Sequence, residues 1–481
     1  MTDSARPTWE PTFQALLDLA RAHCGPDEAF QLSLWAEDSQ FIRFNRAKVR
    51  QGGQVLDGAL TLTWYQRGTP IHPASSPEPN SQPNPGLDRQ LQASIPFTGC
   101  LDLDQPQFLQ TLAYLRQTLP TVLGDPYLSW PQGNAHSHTT YPGQLLSPSE
   151  AASAILEPVA DLDFVGLYAA GCCVRAQADS AGQYHWFQTE TFNLDYSCWD
   201  SQGQAVKGSY AGKTWDQAVY QVAIQRDRQQ LQQLQCPRKS IPRGRYRTYF
   251  APAAVAALLD AASGAWSEKS LQTGESPLVP LRRSKKAPAS PPPPPNPQAH
   301  SLSPLLTLRE DFGLGLVPAF NDRGELAPKT LDLITAGTLA HTLISTRTAQ
   351  EYGLSSNGAA GGEWLRSPEI LAGTLEEPRI LDTLDEGLYI SNLHYLNWSD
   401  RSAGRLTGMT RYACFWVEGG EIVAPIENLR FDDSLDRFWG ENLVAFTQNR
   451  EIIPETGTYG RRALGGMRVP GMLVNDFIYT L

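Results

Sequence analysis

Side chains that could bind a metal are few and scattered in this sequence. Eight histidines are present, but no HExxH pattern, which on a helix would set two zinc ligands and a glutamate base on one face. His136 and His138 have the i, i+2 spacing with which a strand could chelate a metal, yet we expect them to lie in a loop of Gly, Asn and Thr without a nearby acidic or cysteine side chain. Since zinc needs at least three protein donors, we interpret them as surface histidines.

Patterns typical of nucleophilic or phosphate-binding sites are also absent. The sequence contains neither GxSxG nor a P-loop, and the glycine-rich stretch SSNGAAGGEW, residues 355–364, lacks the GxGxxG order of a dinucleotide site. The seven cysteines are an odd number without any CxxC spacing. Cys414 alternates with Tyr412 and Trp416, which predicts a thiol on the packed side of a sheet.

A helix is predicted after Tyr249, and the question is whether it carries metal-binding or catalytic side chains or only packs in the core. Its segment, YFAPAAVAALLDAASGAWSEKS, reads as a strand end, a proline-marked turn and a helix. Asp260 is the only ionisable group before Glu268 and lies off the apolar stripe. We therefore predict that this helix packs and does not bind a metal. The stripe consists of Val255, Leu258, Leu259, Ala262 and Trp266.

Composition limits the partners of the chain. The net charge of −11 and the pI near 5.3 argue against nucleic acid, because an acidic surface repels phosphates. No run approaches the roughly 20 apolar residues of a membrane helix, and the first residues lack the basic-then-apolar order of a signal peptide. We expect a cytoplasmic protein without a membrane or nucleic-acid partner.

The helices and strands predicted along the sequence indicate an α+β protein. We expect an N-terminal domain of mixed α/β character over residues 1–240 and a C-terminal, barrel-like domain dominated by antiparallel sheet over residues 241–481. Alternation at Leu32 and Leu34 predicts strands with one wet face, and Glu418-Gly419-Gly420-Glu421 predicts a hairpin turn. The proline-rich segment 276–304 is predicted to be an exposed loop.

Several blocks, in order along nearly the whole chain, resemble the TldD/PmbA family of predicted metallopeptidases, once labelled modulators of DNA gyrase. FNDRG (320–324) and FWVEGGEI (415–422) are the most specific. FIRFNRAKVRQ, ADSAGQYHWFQTE and GRYRTYFAPAAVAALLDAASGAW add to the likeness.

The resemblance also implies which branch of the family the chain is similar to. In the TldD branch, the helix corresponding to Val255–Trp266 bears HExxxH, and a C-terminal cysteine completes the zinc site. Here the helix reads LLDAASGAW, the cysteine position falls nearest Arg411, and Cys414 is offset by three residues. The chain is thus similar to the PmbA (TldE-like) branch, which lacks the metal ligands. By this resemblance the chain has no catalytic residue and no metal of its own. The zinc is implied to be in a partner subunit.

Three functions remain open at this point. The first is the non-metal subunit of a cytosolic peptidase that pairs with a TldD-like subunit and holds unfolded or short peptides by β-augmentation. The second is a stand-alone metallopeptidase with a non-standard site around His394, Asn397, Arg411 and Cys414. The third is a non-enzymatic scaffold, with a homodimer as one form. We predict His394, Asn397 and Arg411 as substrate contacts, while Arg411 also fits an ordinary surface arginine.

Overall fold

Antiparallel hairpins form most of the fold. The computed structural model describes residues 9–68, 86–284 and 302–480, whose strands form a seven-stranded and an eleven-stranded sheet. The mixture of helices with mainly antiparallel sheets confirms the predicted α+β class. The helices are α1 (Trp9–His23), α2 (Leu101–Thr118), α3 (Ala151–Leu156), α4 (Gln217–Gln233), α5 (Pro252–Ala261), α6 (Glu268–Thr273), α7 (Val279–Ser284), α8 (Thr346–Tyr352) and α9 (Ile380–Leu384).

The first sheet has the strand order β3-β2-β1-β5-β6-β4, and β7 also pairs with β6. Positive φ angles at Arg46 and Ala47, of 53° and 48°, turn the chain between β1 and β2. All neighbours are antiparallel except β4 and β6. The strands are β1 (Glu28–Asn45), β2 (Lys48–Gln66), β3 (Arg89–Pro96), β4 (His136–Tyr141), β5 (Asp163–Asp179), β6 (Tyr184–Trp199) and β7 (Ala205–Gly212).

The two faces of the first sheet differ in polarity. Leu32 and Leu34 are buried in an apolar cluster with α1 and α2, as their alternation predicts. The opposite face carries polar side chains, but several of them are also buried, including Gln31, Glu37 and Gln177. The prediction of a wet face is wrong at these positions, because segments of the C-terminal half cover them.

The second sheet closes on itself. From β18 the order runs through β16, β14, β13 and β8, and β8 pairs again with β18, so these strands form the predicted barrel-like ring. The predicted hairpin turn joins β14 to β15, with Glu418 opposite Glu421. The strands are β8 (Gly244–Phe250), β9 (Leu308–Asp311), β10 (Thr330–Thr335), β11 (Thr338–Leu339), β12 (Pro368–Ile370), β13 (Gly387–Asp400), β14 (Arg405–Glu418), β15 (Glu421–Pro425), β16 (Arg430–Ser434), β17 (Leu443–Pro454) and β18 (Gly466–Tyr479).

Helix α5 packs against β13 and β18 of this ring. It is shorter than the stripe predicts, because a 3-10 turn over Ser263–Trp266 follows it. The stripe is nevertheless continuous, since Val255, Leu258, Leu259 and Ala262 are fully buried and Trp266 is 1% exposed. The prediction of a packing helix is confirmed.

The proline-rich segment differs from its prediction at both ends. Residues 279–284 form α7, and the side chains of Leu278 and Leu302 are buried at 3% and 7% exposure. Both leucines join the C-terminal core, so the exposed loop predicted over 276–304 is wrong at these ends, where apolar side chains are covered. Its middle, residues 285–301, lies outside the described residues.

The division of the chain into domains at residue 240 stays a prediction. Strands β1–β7 end at Gly212, and the second sheet begins at Gly244, with α4 between them. Within the described residues, no helix has the length and apolar character needed to cross a membrane.

Candidate functional site

Helix α5 is the place where the resemblance implies a zinc motif in relatives. Its buried face presents hydrocarbon side chains only, and the carboxylate of Asp260 lies on the exposed side. Cys414 is 2% exposed, and its Sγ lies 3.3 Å from the Arg411 carbonyl oxygen. Burial raises the pKa of this thiol to about 11, so it is protonated at neutral pH. These residues do not fit zinc, which requires deprotonated or lone-pair donors.

Metal-binding side chains also fail to converge elsewhere in the described ranges. Across residues 9–68, 86–284 and 302–480, no three His, Cys, Asp or Glu side chains lie close enough to hold a metal ion. His136 and His138 lie on β4 and not in a loop, which corrects the sequence interpretation. His138 Nε2 is 3.1 Å from Glu10 Oε1, an acidic neighbour that comes from α1, 128 positions away in the chain.

The predicted substrate contacts lie on the β13–β14 hairpin. His394 is opposite Met409, and Arg411 lies two residues further along β14. Partial burial and the charge of Arg411 lower the pKa of His394. Asn397 is exposed, and its Oδ1 accepts a hydrogen bond from the backbone N–H of Trp398. The register thus places His394 and Arg411 on neighbouring strands two positions apart, with Asn397 further along β13 opposite Thr407, and their role in substrate binding stays a prediction.

The same hairpin is irregular beside these residues. The register shifts between His394 and Asn397, and the two tyrosines Tyr395 and Tyr412 adopt φ angles of 53° and 66°. Positive φ is rare for bulky side chains and costs free energy that the surrounding structure must offset. The Arg411 guanidinium lies 5.0 Å from the Tyr412 ring centroid, a cation–π contact.

A cleft lies between the first sheet and loops of the C-terminal half. Its volume is about 970 Å³, which is within the range of volumes of ligand-binding sites. Its floor is the polar face of the first sheet, where Ser33 is opposite Gln177 and Thr61, and Trp35 is opposite Arg175. The cleft walls come from residues in the ranges 317–322, 360–366 and 457–464.

The FNDRG block builds one wall of the cleft. Asn321 Oδ1 accepts hydrogen bonds from the backbone N–H groups of Arg323 and Glu325, at 2.8 and 3.0 Å. Its Nδ2 donates to the carbonyl of Ala359, at 2.9 Å, and so joins this turn to the glycine-rich stretch. Both segments stand out in the sequence, but no pattern in the sequence predicts that they lie side by side.

A half-buried arginine and a buried glutamate hold these walls. Arg366 donates hydrogen bonds to the carbonyl oxygens of Pro318 and Phe320, at 2.5 and 2.6 Å. Glu310 in turn accepts from the backbone N–H groups of Arg366 and Ser367, at 2.7 and 2.5 Å. Burial raises the pKa of Glu310 to about 7, against the hydrogen bonds that favour its ionised form.

The segment between β17 and β18 forms the remaining wall, and Arg462 fixes it to the first sheet. Arg462 is 4% exposed, and its backbone N–H donates to Glu37 Oε1 at 3.2 Å. Neighbouring Arg461 is exposed at the cleft, with its guanidinium 5.2 Å from the Trp35 ring centroid. The Arg462 guanidinium donates to four oxygens of the sheet: Ser39 Oγ (3.3 Å), the Gly171 carbonyl (3.3 Å), the Thr191 carbonyl (3.0 Å) and Thr191 Oγ1.

Comparison with known proteins relates the C-terminal half to a described family. Residues 243–480 match the family described as "PmbA/TldA metallopeptidase C-terminal domain". Metalloprotease PmbA of Escherichia coli O157:H7 is 30% identical over 134 residues, which cover 27% of this chain and 28% of that protein. The aligned stretch therefore spans less than a third of this relative's length.

Solved structures match the fold over its whole length. TldE of Thermococcus kodakarensis superposes with a TM-score of 0.73 at 13% identity, covering 98% of this chain and 100% of that one. A candidate modulator of DNA gyrase from Thermotoga maritima MSB8 has a TM-score of 0.71 at 16% identity, with coverage of 98% and 100%. At these identities the likeness establishes a common fold and carries no residue role across.

Proposed function

Because the chain belongs to the TldD/PmbA family, we propose that it is the zinc-free subunit of a cytoplasmic metallopeptidase complex. In this proposal a TldD-like subunit supplies the metal and cuts the peptide bond. The present chain helps to hold unfolded or short peptides.

The donor chemistry at α5 carries this proposal. A zinc-dependent peptidase needs three protein ligands and a water that the metal activates. Here the helix that bears the motif in metal-bearing relatives buries Val255, Leu258 and Leu259, and the nearby Cys414 is a buried neutral thiol. A chain without metal-binding side chains at this helix can belong to a peptidase if the metal ligands come from another subunit.

An unpaired strand edge supports the peptide-holding part of the proposal. Strand β3 pairs with β2 only from Ala59 to Gln66, so among the described residues the outer edge of 48–57 has no partner strand. Most side chains of this segment are exposed. Free backbone N–H and C=O groups of such an edge can bind an extended peptide by β-augmentation, which reads mainly the backbone and suits varied substrates.

The experiment pairs this chain with a family member that carries HExxxH from the same genome. We expect the two to co-purify, and an unstructured peptide with a fluorophore and quencher at its ends to be cleaved only by the mixture. Zinc should be found at one equivalent per metal-bearing chain, and chelation should stop cleavage.

Three results would contradict the proposal. Cleavage by the isolated chain that stops on removal of tightly bound zinc would favour the stand-alone peptidase. Full activity of the metal-bearing chain alone, without any complex, would remove the need for this subunit. A stable complex with an unrelated protein and no hydrolysis would favour the scaffold.

A further inference from the structure

The cleft has a charge opposite to that of the whole chain. The protein carries 39 basic and 50 acidic side chains, yet among the described residues the charged side chains that line the cleft are three arginines and one aspartate. Arg175, Arg366 and Arg461 therefore give a local positive potential, which walls of low dielectric strengthen. A positive cavity on an acidic protein selects a negatively charged ligand.

Two of the three arginines donate hydrogen bonds to neutral acceptors. Arg175 donates to the carbonyl oxygens of Val174 and Arg462, and the guanidinium of Arg366 donates to carbonyl oxygens of the cleft wall. In the described parts of the chain, no carboxylate oxygen lies within 4.0 Å of the guanidinium groups of Arg175, Arg366 or Arg461. Within those parts none of the three guanidinium groups has a direct ion pair, but Glu310 lies against the Arg366 backbone and Asp322 lines the same cleft, so Arg461 is the arginine most available to a bound anion.

A buried polar donor and exposed aromatic rings complete the lining. Gln177 is 2% exposed; its Oε1 accepts a hydrogen bond from Ser33 Oγ at 2.5 Å, whereas its Nε2 has no acceptor among the described residues. Such unsatisfied buried groups are uncommon and costly. Trp364 is 57% exposed on the opposite wall. Aromatic surface beside polar donors is typical of ligand-binding clefts.

We propose that this cleft binds a carboxylate group of an extended peptide, with Arg461 as the main cationic contact and Trp35 and Trp364 packing against the peptide. The inference rests on the proposed function and names the substrate class of the subunit. The carboxylate comes either from the peptide C-terminus or from an Asp or Glu side chain. Arg366 and Arg175 position the walls and add to the positive potential, and the Gln177 amide can donate to a peptide carbonyl.

The test measures peptide binding to the isolated chain, without a partner and without catalysis. Three unstructured peptides of equal length carry an uncharged fluorophore at the N-terminus: one with an amidated end and no acid, one with a free C-terminal carboxylate, and one amidated with a central glutamate. We expect fluorescence anisotropy to give at least one carboxylate peptide a Kd about tenfold lower than that of the neutral peptide. The difference should shrink as salt is raised.

Two exposed arginines provide the variant and its matched control. Arg461→Gln removes a cleft charge, while Arg379→Gln removes the same charge from an exposed site outside the cleft. We expect Arg461→Gln to weaken carboxylate binding about fivefold and Arg379→Gln to leave it unchanged. Arg461→Glu should abolish the preference for the carboxylate peptides, with circular dichroism confirming that the variant is folded.

The outcomes separate this inference from the function on which it rests. Equal Kd values for the three peptides, no detectable binding, or equal effects of the two arginine substitutions would overturn the carboxylate site. Cleavage by the mixture with the metal-bearing subunit would still support the proposed function in that case. Specific carboxylate binding without any cleavage in the mixture would support the site and contradict the peptidase role.

Discussion

Helix α5 and the cleft beside the first sheet are two regions with opposite chemistry. Around α5, Leu258 and Leu259 are fully buried in hydrocarbon, and the neighbouring thiol of Cys414 is neutral. In the cleft, arginines and backbone carbonyls meet across a polar sheet face. The region where the resemblance implies a metal centre in relatives is apolar core in this chain, and the cleft that we propose as a binding site lies elsewhere in the fold.

The largest expected effect comes from α5. Leu259→Ala should lower the free energy of unfolding by about 4 kcal/mol, because it removes a fully buried side chain and leaves a cavity. Urea denaturation followed by circular dichroism measures this change. The adjacent Asp260→Asn is the control, since Asp260 is exposed and its loss should change stability by less than about 0.5 kcal/mol. Equal effects of the two substitutions would show that α5 is not a packing helix.

A second pair of neighbours tests the polar region. Arg462→Leu should cost about 3 kcal/mol, because Ser39 and the carbonyl groups of Gly171 and Thr191 lose a buried donor. Arg461→Leu should cost less than about 1 kcal/mol, since that side chain is exposed. Limited proteolysis should cut the segment between β17 and β18 faster in the first variant only. The same cleavage rate in both would contradict the anchoring role of Arg462.

The pH dependence of stability tests Glu310. Its pKa in the folded chain is about 7, above the ordinary value of 4.5, so the folded state keeps this proton to higher pH than the unfolded state does. Its contribution to stability is therefore complete below pH 4.5 and is lost as the pH rises through about 7, by about 3 kcal/mol. Urea titrations at pH 5 and pH 8 measure the loss. Glu310→Gln cannot ionise and should remove this part of the slope; an unchanged slope would contradict the assignment.

The smallest expected effect is at Cys414. Cys414→Ser should cost about 1 kcal/mol, because a more polar hydroxyl replaces a buried neutral thiol. Peptide cleavage by the complex with the metal-bearing subunit should keep its rate within about twofold, since the proposal gives this thiol no part in bond cleavage. A loss of activity at unchanged stability would instead favour the non-standard site of His394, Asn397, Arg411 and Cys414.

The accuracy of the sequence predictions depends on the distance over which the relevant contact acts. The stripe on α5 and the hairpin turn at Glu418–Glu421 depend on neighbouring residues, and both are confirmed. His138 illustrates the opposite case, because its partner Glu10 comes from another element and no local pattern marks the pair. The ends of the proline-rich segment were mispredicted for the same reason, since Leu278 and Leu302 are covered by a core formed elsewhere in the chain.

The amino-acid sequence by itself determined the α+β class, the apolar face of α5 and the absence of an HExxxH ligand set, because periodicity and residue identity are local properties. The tertiary structure alone decided that the polar face of the first sheet is partly buried, that Arg462 joins the halves, and that Arg175, Arg366 and Arg461 share one cleft. These features depend on packing between residues up to several hundred positions apart. Hydrogen bonds and charge interactions between residues so far apart in the chain leave no periodic pattern in the sequence.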